Sequence, residues 1–160
     1  MSESKNLSQL LEILRRKNWK LGLAESCTGG LLSSRLAAIA GVSDTYLGGV
    51  VSYSNQVKVD FLGVKDSTLK KSGAVSEETA LEMVRGAVER LKVDCAIAIT
   101  GIAGPSGGSK DKPVGTVFIA IKGPDFEKAK REIFAGSRIE VQSKSADGSI
   151  KFLLDQLLNA

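Results

Sequence analysis

The chain of 160 residues contains no histidine. That absence removes the Ser-His-Asp triad, the Cys-His dyad, HExxH zinc sites and histidine proton shuttles. Cysteine is scarce, with only Cys27 and Cys95, and neither belongs to a CxxC. No metal site and no disulfide framework are expected, which suits a reducing compartment. No apolar run reaches the roughly 18 residues that a membrane span requires. The opening MSESKNLSQL lacks the basic and apolar segments of a signal peptide, so a cytoplasmic protein is expected. Aromatic residues make up 5% of the chain, and the net charge is a scattered +4. That balance suits an anionic small molecule and argues against nucleic acid or a membrane surface as partner.

What remains is an ordinary globular composition, 42% hydrophobic and 25% charged. The length fits a single domain over residues 1–160. Leu7, Leu10, Leu11 and Leu14 fall at helical spacing and predict an amphipathic first helix. Lys20 to Ala24 reads as a short strand and Leu31 to Ala40 as a helix stopped by Gly41. Tyr46 to Tyr53 reads as a strand, and Asn55 to Leu62 as a short helix ending at Gly63. Ser76 opens a clear helix whose stripe is Ala80, Met83, Val84, Ala87, Val88 and Leu91. Cys95 to Thr100 reads as a central strand covered on both faces, followed by Thr116 to Ile121. The charged segment Lys128 to Phe134 reads as a strand near an edge. Ile150, Leu153, Leu154, Leu157 and Leu158 predict a closing helix. Together these give a layered α/β/α fold with a mixed sheet.

Two glycine-rich loops follow predicted strands: Glu25-Ser26-Cys27-Thr28-Gly29-Gly30, and Thr100-Gly101-Ile102-Ala103-Gly104-Pro105-Ser106-Gly107-Gly108. Small residues let backbone N–H groups approach an anion, and the first loop leads straight into a helix N-terminus. Neither loop is a P-loop or a dinucleotide fingerprint. A third segment, Tyr53-Ser54-Asn55-Gln56-Val57-Lys58, lies at a strand-to-helix junction. Without histidine, a neutral lysine is the best available base for a serine, provided burial lowers its proton affinity. Ser26, Ser43, Ser54 and Ser106 are the loop serines open to the nucleophile's role, and the residues alone do not choose among them. Cys27 at a helix start is a weaker candidate, because no base accompanies it. Arg138 has the planar fork that clamps a phosphate.

The segments AESCTGG (24–30), GGVVSYSNQVK (48–58), LGV (62–64), GAVSEETA (73–80), ITGIAGPSGG (99–108) and KPVGTVFIAI (112–121) together resemble the CinA C-terminal domain family. Its enzymatic members are nicotinamide-nucleotide amidohydrolases, and the chain resembles their stand-alone form. The resemblance implies hydrolysis of the carboxamide of nicotinamide mononucleotide (NMN) to nicotinate mononucleotide and ammonia, with no cofactor. It implies Ser43 as nucleophile, Lys58 as base and Tyr53 as assisting hydroxyl. Ser26, Thr28, Gly29, Gly30, Asn55, Thr100, Gly101, Gly104 and Arg138 would bind the nucleotide. Gly48 and Gly49, or a glycine loop, would stabilise the oxyanion. A homo-oligomer, a dimer first, is expected. Two departures stand out: Ser137 replaces the aspartate of the family's Gly-Asp-Arg, and Gln142 replaces a basic residue. The alternative is a non-catalytic nucleotide-binding or interaction domain of the competence- or damage-inducible type.

Overall fold

In a computed structural model that describes residues 3–160, the chain begins with α1 (Glu3–Lys17), β1 (Leu21–Glu25) and α2 (Leu31–Ala37). A single 3-10 turn (Val42–Asp44) precedes β2 (Tyr46–Val51), α3 (Asn55–Leu62), α4 (Asp66–Ser72) and α5 (Glu77–Leu91). The chain ends with β3 (Cys95–Gly101), β4 (Thr116–Gly123), β5 (Phe126–Ile133) and α6 (Arg138–Leu158). The strands form one sheet in the order β2-β1-β3-β4-β5. β1 pairs in parallel with β2 and β3, and the β3–β4 and β4–β5 pairs are antiparallel. The sheet is mixed, as expected, and the charged strand β5 lies at its edge.

Side-chain size decides what covers each face. Along β3, Cys95, Ile97 and Ile99 point one way and Ala96 and Ala98 the other. β4 does the same with Val117, Ile119 and Ile121 against Phe118 and Ala120. The bulky face packs against the leucine stripe of α1 and against α2 and α6. The alanine face lets α5 approach closely through Ala80 and Ala87. On that side α3 meets α5 at Gly86, where an added Cβ would sit 1.9 Å from the Leu62 carbonyl oxygen. Among the described residues, no helix is long and apolar enough to cross a membrane.

Three elements differ most from the sequence expectation, and α2 also ends at Ala37 rather than Ala40, leaving Gly41 to cap the 3-10 turn. α4 was not foreseen: it has seven residues, no side-chain cap and no buried residue, so it lacks an apolar stripe to read. α6 begins at Arg138, well before Ile150. Its first half buries small polar residues, and Ser145 and Ser149 satisfy their hydroxyls on the helix carbonyls of Val141 and Ala146. That pattern carries little hydrophobic periodicity. Finally, β2 ends at Val51, so Ser52 to Ser54 form the turn into α3 and Tyr53 leaves the sheet.

The strand order places the connections after β1 and β3 side by side. The chain leaves β1 for β2 on one side and later returns to β3 on the other. Between such strands the crevice at their carboxyl ends is the preferred ligand position in α/β sheets. Here it is floored by Ser26, whose N–H donates to Ile99 O at 2.9 Å.

Candidate active site

Lys58 sits on α3, a helix capped by Ser54, whose Oγ accepts the Val57 N–H at 3.2 Å. Lys58 and Leu62, one turn apart, are the buried residues of that helix. The lysine side chain is 1% exposed. Its Nζ meets Ser26 Oγ at 2.8 Å, Ser52 O at 2.6 Å and Tyr53 O at 3.3 Å. All three partners are neutral. Burial therefore pushes the ammonium pKa down from 10.5 to about 8.

The same geometry orients the deprotonated amine. A neutral amine has two N–H bonds and one lone pair. The carbonyls of Ser52 and Tyr53 accept the two N–H bonds, which turns the lone pair toward the Ser26 hydroxyl. Ser52 is held in turn, since its N–H and hydroxyl both donate to Glu25 O at 2.7 and 3.2 Å.

Above the pair lies a cavity of about 280 Å³. Ser26, Cys27, Tyr53 and Lys58 line one side, and Thr100, Gly101, Gly104, Ser106 and Gly107 the other, with Arg138 at the rim. Its charged lining residues are both cations, Lys58 and Arg138. Gly104 and Gly107 have φ of +84° and +92°, so this wall presents main chain. A larger groove of about 530 Å³ between α3, α4 and α5 mixes Lys65, Arg85 and Arg90 with Glu78, Glu82 and Glu89. It holds no nucleophile–base pair.

The first turn of α6 closes the rim. Arg138 Nη1 donates to Gly104 O and Nη2 to the Tyr53 hydroxyl, both at 2.7 Å. One turn on, Gln142 Nε2 donates to Cys27 O at 2.9 Å. Ser137 caps the helix in a reciprocal box with Glu140. Serine at 137 thus serves as the N-cap, and Gln142 is a neutral clamp on the serine loop.

The structure brings together Ser26, Tyr53, Lys58, Thr100, Gly101, Gly104 and Arg138. It does not bring Ser43 to them. Ser43 is exposed in the 3-10 turn before β2, whereas Lys58 follows the far end of that strand. Six extended residues separate the two ends of β2 by roughly 20 Å. The Ser43–Lys58 dyad is therefore not assembled. The reason is topological: the edge strand β2 runs the length of the sheet between the two residues.

Gly48 and Gly49 lie within β2 and away from the cavity lining. Asn55 is exposed at the start of α3 and does not line the cavity. Thr28, Gly29 and Gly30 form the turn into α2, where both glycines have positive φ. They too stand outside the cavity lining. The N-terminus of α2 accepts no outside anion, because the Glu25 carboxylate already takes the Leu32 and Ser33 N–H groups at 2.9 Å. Thr28 Oγ1 is the one buried side-chain polar atom without a hydrogen-bond partner among the described residues. Cys27 is buried, and desolvation pushes its thiol up to about 12, which makes it a poor nucleophile. The Tyr53 hydroxyl contacts Arg138, and it is the Tyr53 carbonyl that touches the lysine.

Sequence reasoning missed Ala74 and Val75 as wall residues, the Ser52 carbonyl as a partner of Lys58, and the service of Glu25. Main-chain carbonyls carry no sequence signal, but the buried Glu25 directly before the serine loop was a readable one. Among the described residues, no group of three or more Cys, Asp and Glu side chains is placed to hold a metal ion.

Comparison with known proteins is consistent along the chain. The CinA C-terminal domain matches residues 3–157. A CinA-like protein of Syntrophobacter fumaroxidans is 47% identical over 142 residues, which cover 89% of this chain and 34% of that protein. A putative competence-damage inducible protein of Moorella thermoacetica is 46% identical over 141 residues, with coverage of 88% and 34%. The chain thus spans about a third of the length of these curated relatives. Among solved structures, a competence-damaged protein (CinA) superfamily protein from Klebsiella pneumoniae 700603 has a TM-score of 0.95 at 33% identity, with both chains fully covered. A competence/damage inducible protein from Agrobacterium tumefaciens has a TM-score of 0.89 at 36% identity, covering 97% of this chain and 98% of its own.

Proposed function

The chain belongs to the CinA C-terminal domain family, and from its site we propose a cytoplasmic amidohydrolase that converts NMN to nicotinate mononucleotide and ammonia. The observation that carries this reading is the buried contact of 2.8 Å between Lys58 Nζ and Ser26 Oγ. Ser26 takes the nucleophile's role in this mechanism, in place of Ser43.

Neutral Lys58 accepts the Ser26 proton as Oγ attacks the carboxamide carbon. The tetrahedral oxyanion faces the main-chain wall of the cavity, where backbone N–H groups stabilise negative charge. The lysine ammonium then protonates the leaving nitrogen, and ammonia departs from a Ser26 ester. Water loses its proton to the same amine and hydrolyses that ester, which restores Ser26. Arg138 at the rim supplies the positive charge for the substrate's phosphate. The acid-free lining favours an anionic substrate.

The test is ammonia release from NMN by the purified protein, with Ser26→Ala, Lys58→Ala and Ser43→Ala beside it. The first two variants lose about 10³-fold or more and Ser43→Ala keeps wild-type turnover. Full turnover by Ser26→Ala would exclude this mechanism. Binding of NMN without turnover by wild type would favour a nucleotide-binding domain of the competence- or damage-inducible type.

A further inference from the structure

Glu25 is the last residue of β1, and its side chain is 1% exposed. A buried carboxylate is costly unless donors meet its charge. Here Oε1 accepts the Leu32 N–H at 2.9 Å, and Oε2 accepts the Ser33 N–H at 2.9 Å and the Ser33 hydroxyl at 2.6 Å. The two amides belong to the first turn of α2, where helix N–H groups lack internal partners. The side chain therefore reaches across residues 26–30 and ties the far end of that segment to its near end. The Glu25 carbonyl meanwhile accepts both the N–H and the hydroxyl of Ser52, whose own carbonyl receives Lys58 Nζ. One residue thus adjoins Ser26 in the chain and reaches Lys58 through Ser52.

We infer that Glu25 is a positioning residue for Ser26: by gripping the first turn of α2, its carboxylate sets the Ser26 hydroxyl against the Lys58 amine. It touches no reacting atom and carries no proton in the cycle. The inference rests on the Ser26–Lys58 mechanism proposed above. It requires a carboxylate at this position. Glutamine has the same shape but one acceptor oxygen, and its NH2 would face a donor from Leu32 or Ser33. Aspartate keeps both oxygens but falls one methylene short.

The experiment compares wild type with Glu25→Gln, Glu25→Asp and Ser33→Ala in two assays. One is steady-state ammonia release from NMN across pH. The other is the rate at which phenylmethanesulfonyl fluoride forms a sulfonate ester on Ser26 with loss of fluoride, read by intact mass. Glu25→Gln should lower both kcat and the labelling rate by roughly 10- to 100-fold, as expected when a nucleophile is misplaced. KM should change little, and the pH midpoint should stay in place, because Lys58 stays buried against the Ser52 and Tyr53 carbonyls. Glu25→Asp should recover part of the rate. Ser33→Ala, which removes one of the three donors, should show a smaller loss in the same direction, and it carries the test if Glu25→Gln does not fold.

Labelling and turnover at wild-type rates in Glu25→Gln or Ser33→Ala overturn the inference. So does a lower melting temperature with an unchanged rate per folded molecule, which marks a purely structural role. A shifted pH midpoint also overturns it, because Glu25 would then act on the lysine's charge. Wild type that labels at Ser26, dependent on Lys58 and Glu25, yet releases no ammonia from NMN leaves the inference standing and removes the substrate. Wild type that neither labels nor turns over overturns both.

Discussion

Arg138 donates to the Tyr53 hydroxyl at 2.7 Å, a contact between the first turn of α6 and the turn that enters α3, 85 residues away in sequence. Its other terminal nitrogen holds Gly104 O, so one guanidinium joins three segments around the cavity. Lysine has one point of charge and cannot span both acceptors. Arg138→Lys is expected to raise KM for an anionic substrate by about 10-fold or more, with a smaller change in kcat. Tyr53→Phe removes one acceptor and should have the milder effect. Steady-state kinetics at two salt concentrations separates the charge from the geometry.

In the proposed mechanism Lys58 works as the neutral amine, and burial lowers its pKa to about 8. Activity should rise with pH through about 8 and level off above it. Stability follows the same group. The folded pKa lies below the unfolded value of 10.5, so the unfolded chain binds more protons between the two. Relative to Lys58→Met, wild type should therefore gain stability as pH rises from about 8 to 10.5. The total gain is about 3 kcal/mol, fully present only above the unfolded value. Paired denaturant titrations at pH 7.5, 9 and 10.5 check the sign.

Ser137 caps α6 and aims its first residue, Arg138. Ser137→Ala should cost about 1 kcal/mol of stability and raise KM through the loosened arginine. Ser137→Asp, which keeps a side-chain acceptor for the N-cap, should hold both near wild type. Thermal melts and KM for NMN measure the two effects together.

Gly86 marks the closest approach of α5 to α3, with no space for a Cβ against the Leu62 carbonyl. Gly86→Ala should destabilise by roughly 1–3 kcal/mol or more. It should also lower kcat, because α3 carries Lys58. A melting curve with the kinetics of the folded fraction tests both, and a stable, fully active variant would contradict this packing.

Much of this protein was determined locally, by the sequence itself. The leucine spacing of residues 7–14 made α1, and Ser76 with Glu77 and Glu78 made the start of α5. The apolar run Cys95 to Thr100 made a strand covered on both faces. The absence of histidine pointed to a lysine as the candidate base, and the second glycine loop marked the cavity wall. Each of these is a short-range rule of periodicity, capping or residue inventory. Tertiary structure decided the rest. Ser43 stands nearer Lys58 in the chain, yet Ser26, 32 residues away, is the one in contact. Parallel strands all run the same way, so a residue before β2 and one after it lie at opposite ends of the sheet, while the ends of β1 and β3 meet. Only that arrangement buries Lys58 among neutral acceptors, where the proposed mechanism uses it as a base.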